Sequence, residues 1–191
     1  MIEKFSSPND FVVGVVSDTH IPDRRRDLHP ELIPALRENH VQLILHAGDI
    51  SVPRVIRELE EVSPVLAVKG NRDIAFGNDL PLSRKLEINS HLVLLSHGHM
   101  GIASYWLDKF QHIFSGYRLD RYIRRLNSAM PEASVYVFGH SHNREDLRQS
   151  GKLYFNPGSV SIGLPPSFKR SWGRLVFSRD SVQSTIFPLD E

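Results

Sequence analysis

Residues 11–20 read Phe-Val-Val-Gly-Val-Val-Ser-Asp-Thr-His and join an apolar run directly to an acid and an imidazole. The run is short and rich in β-branched residues, which favours a β-strand over a helix. Similar runs follow at 42–47 and 65–68, and helix-like stretches near 30–38 and 52–60 separate the three runs. Strands that alternate with helical patterns predict βαβ units and a parallel sheet buried on both faces. The predicted fold class is therefore α/β.

The second half of the chain is predicted to be rich in strands. Runs at 85–88 and 91–96 meet across Asn89-Ser90, which is typical of a β-hairpin. Further strand-like runs lie at 135–138, 152–156, 173–177 and 182–187, and the last two are joined through Ser178–Ser181.

Residues 101–130 carry apolar side chains at three- and four-residue spacing, which predicts two helices. We interpret them as a cover on the sheet, with a lid or a dimer face as the alternative. Residues 1–10 are expected to form a loosely ordered segment, and residues 1–191 are expected to form a single domain.

Composition excludes several classes of protein. The 23 Lys and Arg residues nearly balance the 22 Asp and Glu residues, so no overall charge recruits polymeric nucleic acid or an anionic membrane. The absence of cysteine excludes disulfides, thiolate zinc sites, iron–sulfur clusters and a cysteine nucleophile. The start of the sequence lacks the apolar stretch of a signal peptide, and no run approaches the roughly 20 apolar residues of a membrane span. We therefore expect a cytoplasmic protein.

Five of the apolar runs end in the same manner. Each ending offers a carboxylate, an amide or an imidazole, often beside a glycine that permits a tight turn. The endings are Asp18-Thr19-His20, Gly48-Asp49, Gly70-Asn71, His97-Gly98-His99 and Gly139-His140-Ser141-His142. In open α/β sheets, ligands bind outside the carboxyl ends of the strands, where such loops converge. These endings therefore predict a shared site.

The converging side chains form a set of candidate metal ligands. The set is Asp18, His20, Asp49, Asn71, His97, His140 and His142. Oxygen and imidazole donors without thiolate suit manganese, iron or zinc. Seven groups exceed what one ion takes from a protein, whereas two ions that share Asp49 account for all of them. Each residue alone has an ordinary alternative as a helix cap or a loop histidine, so the prediction depends on the endings together.

The same motifs, in this order, resemble those of the calcineurin-like metallophosphoesterase superfamily. Its small single-domain phosphodiesterase branch is the nearer match, because 17–22 (SDTHIP), 45–50 (LHAGDI) and Asn156-Pro157-Gly158-Ser159 are also similar to it. The resemblance extends from about Phe11 to Pro165. It implies a four-layer α/β/β/α sandwich of two mixed sheets with flanking helices.

The resemblance also implies a metal arrangement and a chemistry. It assigns one ion to Asp18, His20, Asp49 and His142, and the other to Asp49, Asn71, His97 and His140. A hydroxide that bridges the ions would attack phosphorus. The cofactors would be two divalent metal ions per chain. Manganese is the favoured metal, and iron, zinc and nickel are the alternatives.

The predicted function is the hydrolysis of phosphate esters, first of all phosphodiesters. The expected partner is a small phosphate ester, and a nucleotide-derived ester is one candidate. We expect the protein to bind neither a membrane nor polymeric nucleic acid. A homo-oligomer is possible from the sequence. The alternatives are a phosphomonoesterase and a catalytically weak metal-binding scaffold that resembles the small subunit of the retromer coat. P-loop and dinucleotide-binding functions are excluded, because neither glycine-rich motif occurs.

The residue after Asn71 departs from the superfamily pattern. Much of the superfamily has histidine there and the small branch often has cysteine, but this chain has Arg72 followed by Asp73. A guanidinium cannot act as a general acid near neutral pH, but its planar donors can bind phosphate oxygens. We predict that Arg72 binds phosphate, with an exposed ion pair to Asp73 as the alternative, and that His99 is the reserve proton donor. The predicted catalytic residues are Asp49, Asn71, Arg72 and His99, of which the last three also contact the substrate.

A run of three arginines, Arg24 to Arg26, follows the first pair of candidate ligands. These side chains could extend a phosphate-binding surface. A solvated loop is the favoured interpretation, because three successive side chains cannot all face one site.

Overall fold

The computed structural model describes residues 1–73, 80–98, 117–162 and 169–189. These residues form two mixed sheets and three helices. One sheet has five strands and the other has six.

The five-stranded sheet contains the predicted βαβ units. Strands β2 (Phe11–Val16), β3 (Leu43–His46) and β4 (Val65–Ala67) are parallel neighbours. Helix α1 (Leu32–Glu38) connects the first two strands and α2 (Pro53–Glu60) connects the next two. An antiparallel hairpin of β10 (Arg170–Phe177) and β11 (Val182–Leu189) completes the sheet beside β2. The predicted strands at 173–177 and 182–187 are thereby confirmed.

The six-stranded sheet is built around the predicted hairpin. Strands β5 (Ser83–Ile88) and β6 (His91–Ser96) are antiparallel, and both turn residues between them have positive φ angles. Strands β7 (Val135–Val137) and β9 (Lys152–Pro157) continue the sheet in parallel, and β8 (Arg144–Gln149) forms its edge. Strand β8 was not predicted from the sequence, because its one apolar residue gives no alternating pattern.

The expectation for residues 1–10 requires a correction. Strand β1 (Glu3–Phe5) pairs in parallel with β5 and so satisfies backbone groups at that edge of the sheet. Lys4 forms an ion pair with Glu87 at 2.8 Å, and Glu3 forms one with Arg84 at 2.8 Å. Sequence reasoning missed the strand because it is only three residues long.

The layers follow from three apolar clusters. One cluster fills the space between the two sheets and contains residues of both, such as Val15 and Val137. A second joins α1 and α2 to the outer face of the five-stranded sheet, and a third joins helix α3 (Leu119–Ala129) to the outer face of the six-stranded sheet. The predicted four-layer sandwich is confirmed.

Helix α3 covers the sheet through its buried residues Tyr122 and Leu126. Residues 99–116, which include the first part of the predicted helical stretch, lie outside the described residues. None of the helices in the described ranges has both the length and the apolar character needed to cross a membrane.

Candidate metal centre

The five strand ends converge at one end of the sandwich. The loops after β2, β3 and β4 come from the five-stranded sheet, and those after β6 and β7 come from the six-stranded sheet. Carboxylate and imidazole atoms approach within 4.8 Å of one another in two overlapping groups, Asp18 with His20 and His142, and Asp18 with Asp49 and His97. Five of the seven candidate ligands, which come from both sheets, are thus brought close together.

The first half of the centre is built around Asp18. The Nε2 atoms of His20 and His142 are 3.1 Å apart, and they lie 3.7 Å and 3.3 Å from Asp18 Oδ1. Asp49 Oδ2 lies 3.7 Å from the same nitrogen of His20. Four potential ligand atoms therefore face a common point.

The second half is built around Asn71. Its Oδ1 atom lies 3.2 Å from His97 Nε2 and 3.0 Å from His140 Nδ1, and these two nitrogens are 3.3 Å apart. Asp49 Oδ1 lies 3.4 Å from His97 Nε2. Because the two oxygens of Asp49 face different histidines, this carboxylate lies between the two halves.

Neighbouring groups fix the orientation of these side chains. His97 Nδ1 donates a hydrogen bond to the main-chain oxygen of Ala47 at 2.6 Å, which turns Nε2 toward the centre. Asp18 Oδ2 accepts hydrogen bonds from Ser17 Oγ at 2.5 Å and from the His140 N–H at 3.1 Å. These contacts leave Asp18 Oδ1 and His97 Nε2 directed at the site.

The donor set fits a divalent cation. Asp18 is fully buried, and its Oδ1 atom accepts no hydrogen bond from the described part of the chain. A buried acceptor without a donor is destabilising, and a cation bound beside it would compensate for the missing donor. The surrounding atoms are carboxylate and amide oxygens and imidazole nitrogens, the ligands that manganese, iron and zinc accept.

The electrostatics of the cluster also favour positive charge. Burial acts to lower the pKa of His97, but the carboxylates of Asp49 and Asp18 outweigh it and raise that pKa to about 9. Burial acts to raise the pKa of Asp18, yet the neighbouring His142 and His97 hold it below its ordinary value. The centre therefore retains negative carboxylates, and a bound metal ion would displace protons from the histidines.

The backbone around the ligands is unusual. Five of them adopt left-handed backbone conformations, which residues other than glycine rarely do. They are Asp18 (φ 56°), His20 (φ 48°), Asp49 (φ 57°), His140 (φ 70°) and His142 (φ 56°). Such strain is concentrated at functional sites, where surrounding contacts maintain it.

Two glycines allow the loops to approach closely. A Cβ atom at Gly70 would overlap the Asp49 carboxylate, and one at Gly139 would overlap Ser17 Oγ. A side chain at either position would therefore displace a residue that forms or supports the centre.

Asp73 is a supporting residue that sequence reasoning did not identify. It is fully buried, and its carboxylate accepts hydrogen bonds from the N–H groups of Asp49 (3.0 Å), Ile50 (2.9 Å), Ser51 (2.7 Å) and Gly70 (2.8 Å). The suggested exposed ion pair between Asp73 and Arg72 is therefore wrong. The only signal in the sequence is an acid three positions after Gly70, a spacing at which a carboxylate can accept from a turn N–H.

Arg72 lies at the edge of the centre. Its N–H donates a hydrogen bond to Asp49 Oδ1 at 2.8 Å, and its guanidinium forms an ion pair with Asp23. The guanidinium is near enough to His20 for its charge to contribute to lowering the pKa of that imidazole, after burial as the main cause. The neighbouring Arg25 donates to the main-chain oxygen of Ser161 at 3.4 Å. His99, the predicted reserve proton donor, lies outside the described residues.

Strand ends that gather carboxylates and imidazoles from both sheets of a four-layer sandwich form a candidate site for divalent metal ions. The sequence model of the calcineurin-like phosphoesterase superfamily domain matches residues 11–171, and the chain belongs to this superfamily. The family predicted from the motifs is thereby confirmed.

Individual relatives agree with this assignment. A protein named "Probable metallophosphoesterase" from Methanothermobacter thermautotrophicus is 36% identical over 151 residues, which cover 79% of this chain and 78% of that protein. The structure of Vps29 from Chaetomium thermophilum has a TM-score of 0.68 at 18% identity, and the match covers 95% of this chain and 98% of the Vps29 chain. The structure of an archaeal phosphodiesterase has a TM-score of 0.62 at 20% identity, and the match covers 93% of this chain and 100% of the phosphodiesterase chain. The two structures establish similarity of fold.

Proposed function

We propose that this protein is a phosphodiesterase that uses two divalent metal ions, with manganese as the first candidate. The observation that carries the proposal is the position of Asp49, whose two carboxylate oxygens face His20 and His97 in separate halves of the centre. A carboxylate so placed is suited to bridging two ions. The first ion would be held by Asp18, His20, Asp49 and His142, and the second by Asp49, Asn71, His97 and His140.

The metal ions would supply positive charge beside the phosphate and would activate water as the nucleophile. The protein contributes position and charge. Asp73 holds the loops of Asp49 and Asn71 together through main-chain hydrogen bonds. Arg72 would bind a phosphate oxygen, because its guanidinium lies at the edge of the ligand cluster and is 38% exposed. Its exposed ion pair is worth only about 0–1 kcal/mol, so phosphate can compete with Asp23 for it.

A small phosphodiester, with a nucleotide-derived one as a candidate, is the proposed substrate. The fold likeness to an archaeal phosphodiesterase supports a diester over a monoester. Because the Arg72 guanidinium cannot protonate a leaving group, the preferred esters are those whose leaving groups need little protonation. The role of His99 as a proton donor, location in the cytosol and a homo-oligomeric state stay predictions.

A protein-binding scaffold is the second candidate function. It is favoured by the similarity of the fold to Vps29 over 95% of this chain. The alternative expects metal binding with little or no turnover. Catalysis is the stronger proposal, because every ligand position is occupied by a suitable residue and the strand ends bring these residues together.

The test is metal-dependent hydrolysis of bis(p-nitrophenyl) phosphate. Protein stripped with a chelator should be inactive and should recover activity with Mn²⁺. We expect Asp49→Asn to lose at least about 10³-fold in kcat, because the shared negative charge is removed. Asp180→Asn, in the exposed turn between β10 and β11, is the matched control and should retain activity.

Metal analysis of the same proteins separates the two candidate functions. Two ions per native chain together with turnover would support the phosphodiesterase. Bound metal without turnover of any ester by the native protein would favour the scaffold. Normal turnover by Asp49→Asn with both ions retained would refute the bridging role.

A further inference from the structure

We propose that Asp23 determines the preference of this site for singly charged phosphodiesters over doubly charged phosphomonoesters. The inference rests on the proposed function and adds a residue that discriminates between the two substrate classes. It is carried by the ion pair between the Asp23 carboxylate and the Arg72 guanidinium.

The main chain places this pair beside the metal centre. Arg72 directly follows Asn71, and its N–H donates to Asp49 Oδ1 at 2.8 Å. Asp23 lies in the turn that follows His20. The pair therefore connects two of the loops that carry candidate ligands.

The pair is also more exposed to solvent than the buried candidate ligands. The Arg72 and Asp23 side chains are 38% and 32% exposed, whereas the Asp18 and Asp49 side chains are 0% and 3% exposed. Because both partners are partly hydrated, Arg72 can exchange Asp23 for a phosphate oxygen.

Two other contacts of the same loop differ from this ion pair. Asp27, in the same loop, pairs with Arg54 of helix α2 at 3.0 Å. Arg25 donates to the main-chain oxygen of Ser161 at 3.4 Å. Neither contact involves Arg72, so Asp27 offers a matched control for the removal of a negative charge from this loop.

The charge of the substrate decides how Asp23 acts. A phosphodiester carries one negative charge, whereas a phosphomonoester carries nearly two at neutral or slightly alkaline pH, because its second pKa is about 6. When Arg72 binds the phosphate, the Asp23 carboxylate remains nearby and repels the additional charge of the monoester. If the Asp23 carboxylate lies about 8 Å from the additional phosphate charge, in an intermediate effective dielectric, the repulsion lowers the affinity for the monoester by roughly five-fold.

The experiment compares two esters with the same leaving group. The values of kcat/KM for p-nitrophenyl phosphate and bis(p-nitrophenyl) phosphate are measured on Mn²⁺-loaded native, Asp23→Asn and Asp27→Asn proteins. We expect Asp23→Asn to raise the monoester-to-diester ratio roughly five-fold, and Asp27→Asn to leave it within about two-fold. A general structural disturbance would lower both rates and leave the ratio unchanged, and an unchanged ratio in Asp23→Asn refutes the proposal.

A binding measurement keeps the inference independent of turnover. Calorimetry at about pH 8 compares inorganic phosphate, which is then doubly charged, with singly charged dimethyl phosphate on the same Mn²⁺-loaded proteins. Asp23→Asn should bind inorganic phosphate roughly five-fold more tightly and should change little toward dimethyl phosphate. If the native protein turned over neither ester, the proposed function would fail while this result still decided the role of Asp23. Equal changes for both anions, or binding of neither anion, would overturn the inference.

Discussion

Replacement of Asp73 by asparagine is expected to lower the free energy of unfolding by about 3–5 kcal/mol. The native carboxylate accepts four main-chain hydrogen bonds of 2.7–3.0 Å, two at each oxygen, in a fully buried position. Asparagine keeps the shape of the side chain but has only one accepting oxygen. Two N–H groups would therefore face an amide that donates rather than accepts.

The magnitude follows from these contacts. A hydrogen bond to a charged group contributes about 1.5–3 kcal/mol, and a buried donor that loses its acceptor is destabilising by a similar amount. Loss of two such bonds, together with the loss of charge at the remaining two, gives the expected range. Because a domain is stable by only about 5–15 kcal/mol in total, the change should be easily measured.

The assay is urea unfolding followed by circular dichroism, with a chelator present so that metal binding does not contribute to stability. The matched control is Asp180→Asn in the exposed turn after β10, which should change the free energy of unfolding by no more than about 0.5 kcal/mol. A decrease of less than about 1 kcal/mol for Asp73→Asn would show that the four hydrogen bonds do not hold the two loops as described.

Three further predictions concern the loop and strand that follow β7. Gly139→Ala should destabilise the fold by about 1–3 kcal/mol and weaken metal binding, because its Cβ would overlap Ser17 Oγ; unchanged urea midpoint and metal content would contradict this. His140→Ala and His142→Ala should each retain the fold but lose a different ion, and metal analysis that finds native content in either variant would remove that residue from the ligand set. Burial raises the pKa of Glu145 above its ordinary 4.5, so the stability that its protonated form contributes at low pH is lost as pH rises through the folded pKa. As pH rises from about 4 to about 7.5, the free energy of unfolding of Glu145→Gln should therefore increase relative to that of the native protein. If urea unfolding gave the same difference in free energy between the two proteins at both pH values, the pKa assignment would be wrong.

The sequence predicted the centre better than it predicted the surroundings of the centre. The candidate ligands could be found because each follows an apolar strand directly, and parallel strands bring their carboxyl ends to one edge of the sheet. The partners of Asp73 and Arg72 could not be found in the same way. Asp23 and Arg72 are 49 positions apart, and no local pattern distinguishes this pairing from one with the adjacent Asp73.

The same distinction applies to the fold. The long β-branched runs, such as β2, and the turn at Asn89-Ser90 carry strong local signals and were predicted correctly. Strand β1 is too short for a periodic signal, and β8 is a charged edge strand, so their pairing is decided by tertiary contacts.

The origin of the candidate ligands in both sheets has a consequence for when the proposed metal centre could form during synthesis of the chain. His20 and His142 meet although they are 122 positions apart, and Asn71 meets His140 across 69 positions. A ribosome-bound fragment that lacks the later strands cannot present the complete ligand set, unlike a zinc finger whose ligands are close in sequence. Loading of the proposed centre would therefore follow the folding of both sheets, and the ion would be selected from the pool around the finished chain.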